Sequence, residues 1–395
     1  MNSSKAMFAV FAAQLVLAAA PPNAGQINAP PPRLLREIDL NRIIGQPAGL
    51  LPAARSVTAL ACSPDENWIA VAVGLHRRKG KLKTGESVFE SNLLILPLKS
   101  PPDHPIELDA GVPLTEGSLV WSPNSDALVG QDRFAPDASL YSVRGQGLWK
   151  RDQTYQHPLL GPWIVGFLDP GHLLAQHITA KEKLDGFDTL DLQGQVVDTW
   201  PSPGKWTPAA ISSDRHLLAV FSGDVRSKLL IVEYPSKKVL ESKSNPTWLY
   251  RDGGRSASAS WYFADTGNAV CAVGSAEIHD PHAQCWDVDS GQKIAEYERF
   301  PAGAPAAASS HASRVVLTQG WFLPSRHDRE RLSGGRLVWD FRSGAEVAAW
   351  APMTQPVVIH GEVQRFAQPA PVAISATGRY VIEGADGILR VYELP

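Results

Sequence analysis

Methionine and cysteine are scarce in this chain of 395 residues, three of each, and only 19% of its residues carry charge. The 37 Lys and Arg are offset by 40 Asp and Glu, giving a net charge of −3. With no excess of positive charge to draw it toward phosphates, the chain does not read as a nucleic-acid binder. At 44% hydrophobic it is far too apolar for a disordered chain. No P-loop, G-x-G-x-x-G, G-x-S-x-G elbow or H-E-x-x-H motif occurs, which removes the commonest nucleotide-binding, hydrolase and zinc-protease signatures. No run of 18 apolar residues is present, so no transmembrane helix is expected. In contrast, 32 prolines and 12 tryptophans point to a β-rich protein with many turns.

The first residues look like an address. Met1 to Lys5 is short, polar and singly positive, and residues 6–20 are apolar apart from Gln14. Fifteen helical residues rise only about 22 Å, short of a bilayer core. A basic start, a short apolar run and small residues at its end form a secretory signal peptide, assigned to 1–25. No cysteine follows the apolar run, so a lipid anchor is not indicated. The mature protein is expected to be exported, periplasmic or extracellular.

Residues 26–395 are organised by a repeat. ALACSPDENWIAVAVG (59–74) reads as apolar strand, turn, apolar strand, and returns as LVWSPNSDALVG (119–130) and AAISSDRHLLAVFSG (209–223). VGFLDPGHLLAQH (165–177) is a further copy, and looser ones start at 261, 307 and 372. Aligning the third turn residue selects Asp65, Asn124, Pro170, Asp214, Thr266, Ala312 and Thr377, separated by 44 to 65 residues. Five of the turns begin with Ser, at Ser63, Ser122, Ser212, Ser310 and Ser375, whose hydroxyls bond locally to backbone. A second strand–turn–strand follows each first one, as in QCWDVDSGQKIAEY (284–297) and LVWDFRSGAEVAAW (337–350). Four short strands per unit describe a propeller blade. The Trp286-Asp287 and Trp339-Asp340 pairs that end third strands resemble WD40 repeats, although only two of seven units carry them and the upstream Gly-His pair is missing. The resemblance implies an all-β, seven-bladed β-propeller. Blades are placed near 57–110, 118–152, 163–200, 207–243, 257–298, 306–351 and 371–395, with LLREIDL (34–40) closing the ring as the outer strand of the last blade. Six or eight blades remain open alternatives.

Naming the strands A to D from the channel outward, the A–B and C–D turns are short, whereas the B–C and D–A connections are long. Strands alternate in direction, so both long kinds emerge on one face, and loops on a rigid scaffold carry function. The first B–C loop holds Arg77, Arg78 and Lys79, and the sixth holds Trp321, Phe322, Arg326 and Arg329. Arg and aromatics dominate binding hot spots, so these seven residues form the candidate contact set for an acidic or mixed protein surface. Trp206, Trp248 and Tyr250 lie in or beside D–A connections on the same face.

The expected A strands, such as VTALA (57–61) and PVAI (371–374), contain no Asp, Glu, Lys, Arg or His. Acid–base or metal chemistry would have to come from loops. His279 and His282 are the nearest approach to a metal motif, and a zinc site needs three or four protein ligands. His172, His177 and His216 lie in or beside B strands. No cofactor is expected. Cys271 and Cys285 sit on adjacent strands of one blade and are either a disulfide or two buried thiols, and Cys62 has no evident partner. The expected function is binding or scaffolding of a protein or other macromolecular partner. A loop-based propeller enzyme, a metal-assisted hydrolase or lactonase, is the alternative.

Overall fold

The structure is a computed structural model and describes residues 29–45, 55–76, 89–100, 106–112, 118–131, 137–144, 148–156, 163–178, 184–201, 206–212, 214–222, 228–234, 236–241, 258–275, 281–297, 302–319, 335–359 and 362–395. Strand β1 (Arg33–Asp39) and helix α1 (Leu40–Ile44) come first. Blade 1 follows, built from β2 (Arg55–Cys62), β3 (Trp68–His76), β4 (Phe89–Pro97) and β5 (Ile106–Val112). Blade 2 is β6 (Ser118–Trp121), β7 (Ala127–Gln131), β8 (Asp137–Arg144) and β9 (Leu148–Gln156). Blade 3 is β10 (Ile164–Asp169), β11 (His172–Ile178), β12 (Leu184–Asp191) and β13 (Val196–Pro201). Blade 4 is β14 (Trp206–Ser212), β15 (Leu217–Ser222), β16 (Lys228–Glu233) and β17 (Lys238–Glu241). Blade 5 is β18 (Ser258–Ala264), β19 (Ala269–Ser275), β20 (Pro281–Asp287) and β21 (Lys293–Tyr297). Blade 6 is β22 (Ala302–Ala308), β23 (Arg314–Gln319), β24 (Arg336–Asp340) and β25 (Glu346–Trp350). A separate two-stranded ribbon, β26 (Thr354–Ile359) and β27 (Glu362–Pro369), precedes β28 (Val372–Ile374), β29 (Tyr380–Ala385) and β30 (Ile388–Glu393).

Ring closure follows from the last sheet, blade 7, ordered β1-β30-β29-β28. β1 runs antiparallel to β30, with Glu37 opposite Arg390 and Ile38 opposite Leu389, and covers an edge that would otherwise be open. The strand stops at Asp39, one residue before the expected end, because its carboxylate caps α1 by accepting from the amides of Asn41 (2.9 Å) and Arg42 (3.2 Å).

Each blade is sandwiched between two others, so its middle strands are buried on both faces and read as continuous apolar runs rather than alternating ones. In β3, Ile69 to Val73 are all buried. The core divides into seven apolar clusters, each shared by two adjacent blades. One joins Val71 and Leu94 of blade 1 to Ile382 and Val391 of blade 7, and another joins Ala70 and Leu93 to Trp121 and Tyr141 of blade 2. Burying each such side chain contributes roughly 1.5–3 kcal/mol, so the blade-to-blade interfaces supply much of the driving force for closure.

The serine turns have one geometry. The Ser63 hydroxyl accepts from the Trp68 amide (2.9 Å), and Ser122 and Ser375 do the same for Ala127 (2.9 Å) and Tyr380 (3.1 Å), always five residues on. In blade 6 the equivalent residue is Ser309, not Ser310. It pairs backbone to backbone with Arg314 (2.9 Å), so the turn position equivalent to Asp65 is His311 rather than Ala312. Adjacent serines made the two registers indistinguishable in sequence. The A strands also depart from expectation at their ends, since β2 begins at Arg55 and β10 ends at Asp169.

Cys271 and Cys285 stand directly opposite in the β19–β20 ladder, 4.1 Å apart between Cα atoms, and are joined as a disulfide. Cys62 is a free thiol whose pKa burial pushes above its ordinary value.

Candidate functional site

The two faces of the ring are built differently. On the face of the A–B turns, neighbouring blades are tied by hydrogen bonds from one turn to the next. The Asp65 amide donates to the Ser125 hydroxyl (3.0 Å), joining blades 1 and 2. The Thr377 amide (2.8 Å) and hydroxyl (2.6 Å) both donate to the Glu66 carboxylate, joining blades 7 and 1. Burial pushes Glu66 upward, but these donors outweigh it and hold the carboxyl below its usual range. The amides of His311 and Thr266 donate to Ala376 (2.9 Å) and Ser310 (2.6 Å), joining blade 6 to 7 and 5 to 6. Arg215 reaches Asn268 (3.2 Å), and the His216 Nδ1 reaches the Leu168 carbonyl (3.1 Å). This face is a fixed plate.

The long B–C connections are anchored on the opposite face. Arg77, Arg78, Lys79, Trp321, Phe322, Arg326 and Arg329 lie outside the described residues, as do Trp248, Tyr250, His279 and the proposed signal peptide. What is described is where their loops are anchored. The first loop leaves β3 at His76 and re-enters at Phe89, and the sixth leaves β23 at Gln319 and re-enters at Arg336. Blades 1 and 6 flank blade 7, whose own B–C connection is the tight turn Asp386-Gly387, both with positive φ (49° and 75°). The sector between the two anchor points is therefore low, and two elements occupy it. Helix α1 packs on that turn, with the Leu40 amide donating to the Gly387 carbonyl (2.7 Å). The β26–β27 ribbon replaces what reads in sequence as a plain loop over 352–370.

Two buried polar clamps hold the base of the ribbon, and neither was foreseen. Gln355 in β26 is 3% exposed and treats Val57 of β2 as a strand partner. Its Oε1 accepts from the Val57 amide (3.1 Å), and its Nε2 donates to the Val57 carbonyl (3.0 Å). At the other end, the Ala370 carbonyl accepts from Arg336 Nη2 (2.7 Å). Arg336 and Glu383 are both fully buried, between blades 6 and 7. The guanidinium also donates to Thr318 Oγ1 (3.2 Å) and to Glu383 Oε1, while Glu383 Oε2 finds no partner among the described residues. Burial lowers the pKa of Arg336, and the Glu383 charge opposes that shift. Gln131 makes a clamp of the same kind between blades 2 and 3, bonding both backbone groups of Ile164 (2.6 and 3.0 Å).

The three strand histidines are engaged. His172 pairs with Asp169 (2.9 Å), His177 with Asp188 (2.9 Å), and His216 with the Leu168 carbonyl. His282 lies in β20 opposite Gly274. Among the described residues no three His, Cys, Asp or Glu side chains converge on one point.

No protein-family model matches the chain, and no curated protein does. Solved structures do. The chain is similar to one from a mitotic checkpoint complex at 15% identity, covering 100% of this chain and 99% of that one with a TM-score of 0.53. The chain has the fold of a seven-bladed β-propeller. Two further likenesses are to Kuenenia stuttgartiensis hydrazine synthase (11% identity, 88% and 99% covered, TM-score 0.51) and to an oligogalacturonate lyase in complex with manganese (14%, 87% and 90%, 0.53). At these identities the likeness is one of fold alone.

Within this propeller the two Trp-Asp pairs close C–D turns. The Asp287 carboxylate accepts from the Ser290 amide (2.8 Å) and hydroxyl (2.7 Å), and these bonds lower its pKa. Asp340 does likewise with Arg342, Ser343 and Ser313. The tryptophan network is looser. Val270 stands opposite Trp286, and the indole Nε1 has no acceptor among the described residues.

Proposed function

We propose that this propeller is an exported binding or scaffold module that engages a protein partner of acidic or mixed surface through its B–C/D–A face, and that it carries out no reaction of its own. The contrast between the two faces carries this reading. One is closed by A–B turns of two to five residues, several of them bonded to one another, and the other bears the long connections and a ribbon clamped at its base. A scaffold that spends its sequence length on one face presents that face. Arg77, Arg78 and Lys79 from blade 1 would steer an anionic surface, and Trp321, Phe322, Arg326 and Arg329 from blade 6 would form the desolvated centre. Export rests on the N-terminal signal pattern and agrees with a disulfide, which persists in oxidising compartments.

The test starts from proteins that co-purify with the tagged exported chain. Replacing Trp321 and Arg326 with Ala should weaken binding of that partner by more than about 2 kcal/mol, with the melting temperature unchanged. Asp65 and Asp214 are poor controls for the other face, because Asp65 bonds the Asn67 amide (3.0 Å) and Asp214 pairs with His311 (3.3 Å). Asn124→Lys, at an exposed turn position where the lysine ammonium can replace the Asn124 Nδ2 donor to Asp126 (2.8 Å), is the better control and should leave binding intact. Sensitivity of Asn124→Lys with insensitivity of the Trp321 and Arg326 variants would reverse the assignment of faces. A stoichiometric divalent metal in the purified protein would favour the loop-enzyme alternative with His279 and His282.

A further inference from the structure

The strands of the β26–β27 ribbon pair with each other and, among the described residues, with no blade. An isolated two-stranded hairpin is marginal in water, so what holds the ribbon down decides whether it moves with the ring or apart from it. Its root is closed by the Ala370 amide, which donates to the Met353 carbonyl (2.8 Å), and Arg336 pins the Ala370 carbonyl (2.7 Å). Gln355 stands two residues beyond that root.

Gln355 is bonded to the wall of the central channel. The first strands of neighbouring blades lie side by side in a closed circuit, β2 between β6 and β28, so they are the innermost strands of the ring. β2 is also the end strand of its sheet, with β3 on one side only. The Val57 amide and carbonyl both go to Gln355, so they lie on the open edge of β2, the edge that faces the channel. Val57 is the third residue of β2, and β2 enters the ring from the face of the long connections. The buried Gln355 amide therefore fills part of the channel mouth on that face.

We infer that the ribbon is a flap over this mouth, hinged at Met353 and Ala370 and latched by Gln355, and that it opens while the ring stays closed. The latch is two neutral hydrogen bonds. Releasing it exchanges them for bonds to water at both the glutamine amide and the Val57 edge, so the net cost is small. Opening a blade interface would instead expose an apolar cluster such as Val71, Leu94, Ile382 and Val391. That difference in cost is the condition for local opening. The open state gives the channel an entrance from the face of the long connections, where Val57 presents an unpaired strand edge. The flap uses no residue of the proposed contact set, so either idea can fail without the other.

Native-state amide exchange of the full chain tests this. It is read in β26 and β27, at Val57 within the fragmented 55–62 peptide, and in β3 as the reference for the ring. In the wild type the ribbon and Val57 should be similarly protected, and at least about tenfold less so than β3. Gln355→Leu keeps the volume and removes both bonds. It should quicken the ribbon and Val57 together by about tenfold or more, with β3 unchanged. Gln355→Glu adds a pH signature, because an ionised carboxylate accepts from the Val57 amide but has no proton for the carbonyl, whereas the neutral acid serves both. The latch of this variant is complete below the open-state carboxyl pKa of about 4.3 and is lost as pH rises. Its exchange relative to the wild type should therefore fall toward unity between pH 7 and pH 4, and this variant carries the test if Gln355→Leu does not fold. Ribbon protection equal to that of β3, quickening of β3 by the same factor, quickening of the ribbon without Val57, or a pH-independent Gln355→Glu ratio would each overturn the inference.

Discussion

Replacing Arg336 with Met keeps most of the side-chain volume but removes the cation between blades 6 and 7. Glu383, fully buried and with no partner at Oε2 among the described residues, would lose the donor to Oε1 as well. The Ala370 carbonyl at the root of the ribbon would lose its donor too. Breaking one side of a buried pair costs about 3–5 kcal/mol, mostly because the remaining charge is stranded. At about 2.1 cal/mol/K per residue, unfolding 395 residues carries an entropy near 0.8 kcal/mol/K, so the melting temperature should fall by about 4–6 °C. Arg336→Met/Glu383→Leu removes both charges and should recover at least half of that loss. Amide exchange in residues 354–369 should quicken in the single variant, because Arg336 anchors one end of the ribbon. Denaturant unfolding of the wild type, both single variants and the double variant closes the cycle. If the double variant loses the sum of the two single losses, the groups are not coupled and the clamp reading fails.

Removing residues 1–41 should destabilise the ring, because β1 covers β30 and Arg36 bonds the carbonyls of Pro97 (2.6 Å) and Leu98 (3.1 Å) in blade 1. Removing only 1–25 should leave the melting temperature unchanged, and equal stability of the two truncations would contradict closure by β1. Non-reducing peptide mapping of the protein purified without reductant should recover Cys271 and Cys285 as one linked peptide. Their separation of 14 residues corresponds to a stabilisation of about 3 kcal/mol on the chain-entropy model, and alkylation of both thiols in the native protein would exclude the bond. Glu66, with its pKa lowered in the fold, contributes stability that is full above the unfolded carboxyl pKa near 4.3 and is lost as pH falls through the lower folded value. Glu66→Gln should therefore cost about 1–2 kcal/mol at pH 7 and almost nothing near pH 2, and a cost independent of pH would refute the assignment.

What was legible in the sequence is what local chemistry encodes. A serine whose hydroxyl reaches an amide five residues on leaves a short motif, and seven strand-turn-strand copies set the blade count. The Asp-x-x-Ser-Gly turns after Trp286 and Trp339 were visible for the same reason. The β26–β27 ribbon has a local signal, since PVVI and EVQRF flank His360-Gly361, but its position between two blades reads as a long D–A loop. The clamps were not readable. Gln355 bonds Val57, 298 positions away, and Arg336 meets Glu383, 47 positions away. Nothing in the local sequence of either pair marks its partner. A buried Arg at the head of a strand looks, in sequence, like one more basic loop residue beside Arg329.

The placement of those clamps has a physical logic. Six blades are each made from one continuous stretch of chain, so pulling one apart requires breaking a hairpin from within. Blade 7 is different, because its outer strand belongs to the other end of the chain and is held by β1–β30 pairing, a few flanking backbone bonds and side-chain contacts. It is therefore the natural opening point of the ring. The Arg336–Glu383 pair bridges it to blade 6 and the Thr377–Glu66 bonds bridge it to blade 1, while Gln355 ties the adjoining ribbon to blade 1. Two of these bridges also fix the ribbon that stands on the blade. The elements that resist ring opening are thus the ones that position the sector between the two arginine-bearing loops. A variant that loosens blade 7 should weaken partner binding there before it unfolds the ring, whereas the same loss of stability placed in blade 3 should not.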